Sequence, residues 1–338
     1  MLRGRKPRAS PEPRVVVKTQ AGRREADLRQ PESANQSGTL DQRIAVINLL
    51  TIDIEDWRQT SGRGPADSFV PLGAGSRSGE EVVSGTRRLL RLLEARRCRA
   101  TAFVLGSLAV EHPALVREIR AAGHEIAAHG HLHRPVYLLS PEEFRRDLLQ
   151  VKEVLENLTG EPVIGYRAPW FSITRRSKWA FEILAETGFR YDASVLPVHP
   201  RFYRVPGWEG AGHEARFPGP IECRTGPFLE VPATTLRIAG LTLPAAGGIY
   251  LGIFPYLLFA RAIRAANRRG QPGVLYLHPH DLNDDAFSRK RPGERLLGAL
   301  LAAGRRRAES RIRRILGDFP FGPVCEWLAA APALPPPS

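Results

Sequence analysis

The sequence predicts an α/β domain built on a parallel sheet or barrel, and three observations carry that expectation. Apolar, strand-like runs alternate with segments of helical spacing between Ile44 and Leu282. The first run, IAVINLLTI from Ile44, is the continuous apolar stretch expected of a buried parallel strand. Chemistry-bearing residues stand at or just after the ends of five predicted strands: Asp53 with Glu55 and Asp56, His129 with His133, Arg167, Asp192 and His278. In such folds the loops converge at the carboxyl ends of the strands, so five coincidences together point to one site.

In chain order, residues 1–43 mix Arg, Pro, Ser, Gln and Gly with little apolar periodicity and are expected to be disordered, because they bury too little to offset chain entropy. A Gly/Ser/Pro-rich loop follows the first strand to about Gly79. Val82, Val83, Leu89, Leu90 and Leu93 then have helical spacing, and Ala100 to Leu105 reads as the second strand. His112 to Ala122 reads as a helix closed by Gly123. The strand from Glu125 comes next. Ser140, Pro141 and Glu143 supply an N-cap, a first-turn proline and a capping-box acid ahead of Leu148, Val151, Leu155 and Leu158. Val163 to Ala168 is a strand, Trp179 to Glu186 a helix stopping at Gly188, and Phe189 to Val195 a further strand. From about Pro200 the rhythm is lost, and only Leu229–Ala233 and Thr235–Leu243 look extended. Tyr256 to Arg269 is helical, and Gly270 to Leu282 gives turn, strand and the polar cluster His278, His280, Asp281. The expected organisation is a basic segment 1–43, a barrel 44–285 with an irregular insert at 200–255, and a basic helical extension with a Pro-rich tail at 286–338.

The formal net charge of +14 is localised. Residues 1–30 hold nine basic residues against three acids and residues 289–314 hold ten against two, while the rest is balanced at thirty of each. Nucleic acid is therefore not the expected partner; peripheral contact with an anionic membrane surface would fall to those two segments. No apolar run approaches the roughly 20 residues of a membrane span, and the N-terminus lacks a signal-peptide core, so a cytoplasmic location, peripheral to the inner membrane, is expected. Cys98, Cys223 and Cys325 are odd in number and far apart, which suggests neither a disulfide framework nor a thiolate zinc site.

The stretch EIAAHGHLHR, Glu125 to Arg134, concentrates three of the nine histidines where a strand opens into a loop. Two neutral imidazoles can bind a divalent cation at roughly 2.0–2.1 Å, and a carboxylate from elsewhere would complete a three-ligand site with room for water. The competing reading of an H-x3-H spacing taken alone is a solvated turn.

LTIDIEDW, AHGHLH, GYRAPWFSI, YDASVLP and LYLHPHD, in this order and at these intervals, resemble the five motifs of the NodB-type polysaccharide deacetylases, carbohydrate esterase family 4. LTLPAAGGIY and FPFGPVCEWL extend the similarity to the subgroup found with exosortase-linked exopolysaccharide loci. The resemblance implies a distorted (β/α) barrel of the NodB-homology type and an enzyme that hydrolyses N-acetyl groups with a divalent metal ion, zinc first, with cobalt, manganese or nickel as alternatives. It implies Asp53 as base, His129 and His133 as metal ligands, Arg167 holding Asp53 ionised and oriented, and His278 as the acid for the departing amine. Asp192 would support His278, line the sugar site, or cap the turn before Ser194. The third ligand stays open: D-x-E-D departs from the usual D-D or D-x-D, leaving Glu55 or Asp56, with a slight preference for Asp56 because Trp57 follows it. His131 is treated as a neighbour of the site. Trp170 with its neighbour Pro169, and Tyr250, are the candidate sugar contacts, and Gly247 and Gly248 would allow a close backbone approach or a simple turn.

The expected function is removal of N-acetyl groups from a polysaccharide or oligosaccharide precursor in bacterial exopolysaccharide biosynthesis, with oligomeric state left open. The rival readings are an amidase acting on a non-sugar C–N bond in the same barrel, and a catalytically degenerate protein that binds carbohydrate or a membrane surface.

Overall fold

The computed structural model describes residues 46–56, 78–198, 219–224, 226–282 and 295–330. The basic segment 1–43, Trp57 and the Pro-rich tail lie outside them. The described residues belong to one compact unit.

β1 (Asn48–Ile54) is buried at every position, which explains its unbroken apolar character. α1 (Ser78–Glu94) leads to β2 (Thr101–Val104), also fully buried. A helix not expected from the sequence, α2 (Gly106–Glu111), ends at His112, and Pro113 opens the expected one, α3 (Pro113–Ala121). The residue before a proline is pushed out of the α region, and His112 has φ −126° and ψ 59°. β3 (Glu125–Ala128) follows. α4 (Pro141–Thr159) begins with the expected capping box, Ser140 accepting from the Glu143 amide and Glu143 from the Ser140 amide, and ends at Gly160 in the left-handed region. β4 (Gly165–Tyr166), α5 (Trp179–Glu186) and β5 (Tyr191–Asp192) complete the regular alternation.

The parallel sheet runs from β10 (Val274–Leu277) through β1, β2, β3, β4 and β5 to β7 (Gly226–Glu230), with β6 (Gly219–Cys223) antiparallel to β7 at the far edge. The run from Thr235 is not one strand but a hairpin, β8 (Thr235–Ile238) and β9 (Leu241–Pro244). It turns at Ala239 and Gly240, both at positive φ, the conformation a two-residue hairpin turn needs. α6 (Ile249–Ile253) and α7 (Tyr256–Asn267) precede β10 (Val274–Leu277).

The described part of the expected insert closes the wall between β5 and β10. Ala233 N donates to Val195 O, Thr234 N to Val274 O, Tyr276 N to Ala246 O and Gly248 N to Tyr276 O. These bonds join the segments after β7 and β9 to the chain after β5 on one side and to β10 on the other. The approach is so close at Gly247, whose φ is +139°, that a Cβ would meet the Tyr276 carbonyl, so close packing and not a simple turn accounts for this glycine.

The C-terminal segment also packs into the main core. α8 (Arg295–Asp318) contributes Ala308, Ile312, Ile315 and Leu316 to the cluster formed by Leu50, Leu89 and Val104. β11 (Phe321–Gly322) pairs with the start of β1, and at α9 (Val324–Ala330) the Val324 amide donates to Thr101 Oγ1. No described helix is long and apolar enough to cross a membrane.

Candidate metal and acid–base site

The parallel register sends the carboxyl ends of β1, β3, β4 and β10 to one face of the sheet, and the side chains there converge. Glu55 follows β1, and its Oε2 lies 3.0 Å from His129 Nε2 and 2.6 Å from His133 Nε2. All three residues are buried. Their donor atoms lie within 4.8 Å of one another, and Asp56, although buried, is not part of that group. The geometry therefore favours Glu55 over the Asp56 preferred from the following tryptophan. β1 delivers Asp53 and Glu55 to one side because alternate residues of an extended chain share a face.

The three residues fit a cation. His129 Nδ1 lies 2.8 Å from the Arg167 carbonyl, which can only accept, so Nδ1 donates to it and Nε2 is turned toward Glu55. In its neutral form Nε2 is a metal ligand, and a divalent cation between it and the carboxylate would satisfy both. His133 Nε2 is close to the same oxygen yet out of line for a hydrogen bond, and its Nδ1 is buried without a hydrogen-bond partner. His133 itself sits at φ +56°, a conformation costing a non-glycine residue about 1 kcal/mol or more. Burial alone would raise the Glu55 carboxyl, but the neighbouring imidazoles outweigh it and hold Glu55 well below the usual carboxylate range.

Asp53 is held from the other side. Arg167, fully buried, donates from Nη1 to Asp53 Oδ1 at 2.6 Å and to Thr51 Oγ1 at 2.9 Å, and from Nε to the Ala193 carbonyl at 3.0 Å. The Phe103 ring lies 4.3 Å from its guanidinium carbon. A cation so enclosed is fixed in place, and it fixes the carboxylate with it. The expected ion pair is present.

His278 stands across from both acids, its Nε2 3.8 Å from Asp53 Oδ2 and 3.5 Å from Glu55 Oε1. Asp281 accepts from the His278 amide at 2.8 Å and lies 3.4 Å from its Nδ1. Burial would lower the His278 pKa, but the hydrogen bond and charge of Asp281, with the charges of Glu55 and Asp53, push it up to about 9. His280 stacks on the same ring, centroids 4.6 Å apart.

Of the three readings of Asp192, the cap before Ser194 matches its contacts. The described partner of His278 is Asp281, while Asp192 caps Ser194, accepting from its amide at 3.1 Å and its hydroxyl at 2.5 Å. Trp170 is half-buried at φ +60°, its ring centroid 6.2 Å from that of His133, and Pro169 is buried beside it. Tyr250 lies half-buried on α6 and stacks on Phe254. His131 points elsewhere: its amide donates to Asp147, and its ring fills the space against Gly106. Two contributors escaped notice in the sequence. Thr51 is hidden inside an apolar strand, and Glu230, buried next to Asp192, could have been flagged as a lone acid in the extended run FLEVPA.

Fold and site together define an α/β barrel presenting two histidines and a carboxylate beside an arginine-held aspartate and a half-buried histidine. Residues 77–191 match the family model "Polysaccharide deacetylase", and residues 193–329 match "Domain of unknown function (DUF3473)". The resemblance to the NodB-type polysaccharide deacetylases, carbohydrate esterase family 4, is thus matched over residues 77–191, about a third of the chain. Over 144 residues it is 32% identical to the peptidoglycan deacetylase of Helicobacter pylori, covering 42% of this chain and 47% of that protein. Over 126 residues it is 29% identical to the chitooligosaccharide deacetylase of Rhizobium leguminosarum bv. trifolii, covering 36% and 54%. The chain thus spans about half the length of these curated relatives. A structure from Mycobacterium smegmatis described as a candidate polysaccharide deacetylase aligns with a TM-score of 0.54 at 21% identity, covering 86% of this chain and 95% of that one, a likeness of fold. The site draws on both matched regions: His129, His133 and Arg167 lie in the first, and His278 and Asp281 in the second.

Proposed function

We propose that this chain is a metal-dependent hydrolase that removes N-acetyl groups from a polysaccharide or saccharide precursor. The observation that carries the reading is the convergence of Asp53, the Glu55–His129–His133 group and His278 on one face of the barrel. The activities named for the Helicobacter and Rhizobium relatives support it.

Amide hydrolysis forms a carbon–oxygen bond from water, breaks the carbon–nitrogen bond, and releases acetate and a free amine. A divalent cation held by Glu55, His129 and His133 would supply Lewis acidity toward the acetyl carbonyl. Asp53, oriented by Arg167, takes the proton from the attacking water. His278, protonated and steadied by Asp281, gives a proton to the departing nitrogen. Acid and base stand 3.8 Å apart at their nearest, so the scissile amide is handled by both in one place. Trp170, beside His133, offers a flat face on which a sugar ring can stack.

Zinc is the proposed metal, because two imidazoles and a carboxylate suit it. An exopolysaccharide precursor at the cytoplasmic face of the inner membrane is the proposed substrate setting, supported by the motifs shared with exosortase-locus proteins and by the basic segments at 1–30 and 289–314. The test is acetate release from N-acetylhexosamine oligomers with zinc, cobalt, manganese or nickel added. Release that chelator abolishes and metal restores is expected; none with any metal would sink the reading. Cell fractionation tests the location.

A further inference from the structure

Two carboxyls that the proposed reaction does not use are buried within reach of Arg167. Asp192 and Glu230 are directly paired in the parallel register of β5 and β7, and both are buried. Asp192 accepts from the Ser194 amide and hydroxyl. Glu230 Oε1 accepts from the Val195 amide at 2.9 Å. The same short backbone segment receives Arg167, whose Nε donates to the Ala193 carbonyl at 3.0 Å, and the Ser194 hydroxyl accepts from the Ala168 amide at 2.7 Å. Residues 193–195 are therefore gripped by two carboxyls and in turn grip Arg167 and the residue after it. Arg167 Nη1 then reaches Asp53.

The pair is also arranged to share a proton. Two adjacent buried carboxyls cannot both ionise at ordinary pH. Burial, then the charge of Asp192, pushes Glu230 well above the usual carboxylate range. One negative charge instead of two then stands near Arg167, and the guanidinium keeps its ion pair with Asp53.

We propose that Glu230, in the stretch matched only by the domain of unknown function, is a positioning residue for the reaction, acting through Asp192, the 193–195 backbone and Arg167 on Asp53. The role rests on the deacetylase reading above. It gives the second matched region a task beyond supplying His278: it holds the base as well as the acid.

The test compares Glu230→Ala and Glu230→Gln in the full, zinc-loaded chain. A glutamine amide can donate to Asp192 while its carbonyl accepts from Val195, so Glu230→Gln is expected to keep kcat within about threefold. Glu230→Ala should lose kcat about tenfold or more, with KM changed less than about twofold and zinc content unchanged. Wild-type kcat in Glu230→Ala, a zinc loss matching the kcat loss, or a glutamine variant as impaired as the alanine one would each overturn the role. If Glu230→Ala shows no cooperative unfolding transition, Ser194→Ala takes its place, with a kcat loss expected and an unchanged kcat overturning the role. Amide exchange of Ala168 and Val195, read by mass spectrometry, does not depend on turnover. It should quicken in Glu230→Ala and not in Glu230→Gln; equal exchange in the two overturns the coupling. If the wild type releases no acetate from any substrate, the deacetylase reading fails, while the exchange comparison still decides whether Glu230 holds the arginine's support.

Discussion

At the scale of single residues, Glu55 is the choice that geometry makes between two neighbouring acids. Its oxygen lies between two imidazole nitrogens, and Asp56 is outside that group. Glu55→Gln is therefore expected to lower zinc affinity by about 10-fold or more, and Asp56→Asn to change it little, as measured by metal content after dialysis against graded chelator. Equal retention in both variants would remove the assignment. His278 gives a pH prediction. Its pKa is raised from 6.5 to about 9, so the protonated form is favoured in the folded chain; the stability it lends is complete below about 6.5 and disappears as pH rises through about 9. Turnover should fall over the same alkaline range, and at somewhat lower pH once a cation offsets the charge of Glu55. A pH–rate profile of wild type against His278→Gln checks this: the variant should lose the alkaline limb and about 10²-fold in kcat. Arg167 is the residue with least freedom, since removing one partner of a buried pair costs about 3–5 kcal/mol.

At the scale of elements, the segment between β5 and β10 matters most. Backbone bonds from Ala233, Thr234, Ala246 and Gly248 close the wall there, and His278 follows directly on the strand they brace. Gly247→Ala would press a methyl group into the Tyr276 carbonyl at a backbone angle that L-residues avoid. It is expected to destabilise the fold by about 2 kcal/mol or more, read from chemical denaturation, and to lower kcat because His278 is displaced. A variant as stable and active as wild type would show that the strand is braced some other way. By contrast, the Ser140–Glu143 box at α4 is a local device worth about 1 kcal/mol, and it was legible because both partners lie three positions apart in sequence.

At the scale of the whole molecule, the ligand group joins the end of β1 to the loop after β3. A cation bound there ties together elements that separate on unfolding, so zinc at 100 times its dissociation constant should stabilise the chain by about 2.7 kcal/mol. Thermal scans should show Tm rising by roughly 5 °C or more, an increment that Glu55→Gln removes. An unchanged Tm across that range of zinc would count against the metal group. The C-terminal helix belongs to this scale as well, since Ile312 and Ile315 complete the core around β1 and β2 from more than 200 positions away.

By itself the sequence determined the periodic elements and placed the candidate site residues at strand ends. The unbroken apolar run of β1, the capping box of α4 and the H-x3-H spacing are local patterns whose physical causes act within a few residues. Tertiary structure alone decided which acid meets the histidines, because that depends on how the chain turns after Ile54. It also decided that Asp281, and not Asp192, meets the His278 ring, that the Thr235 run folds back as a hairpin, and that Glu230 is buried beside Asp192. The contacts of Glu55 and Glu230 join distant segments, of which composition and spacing carry no record. Asp281, however, lies three positions from His278 and the hairpin turns within ten residues, so these two depend on local backbone geometry.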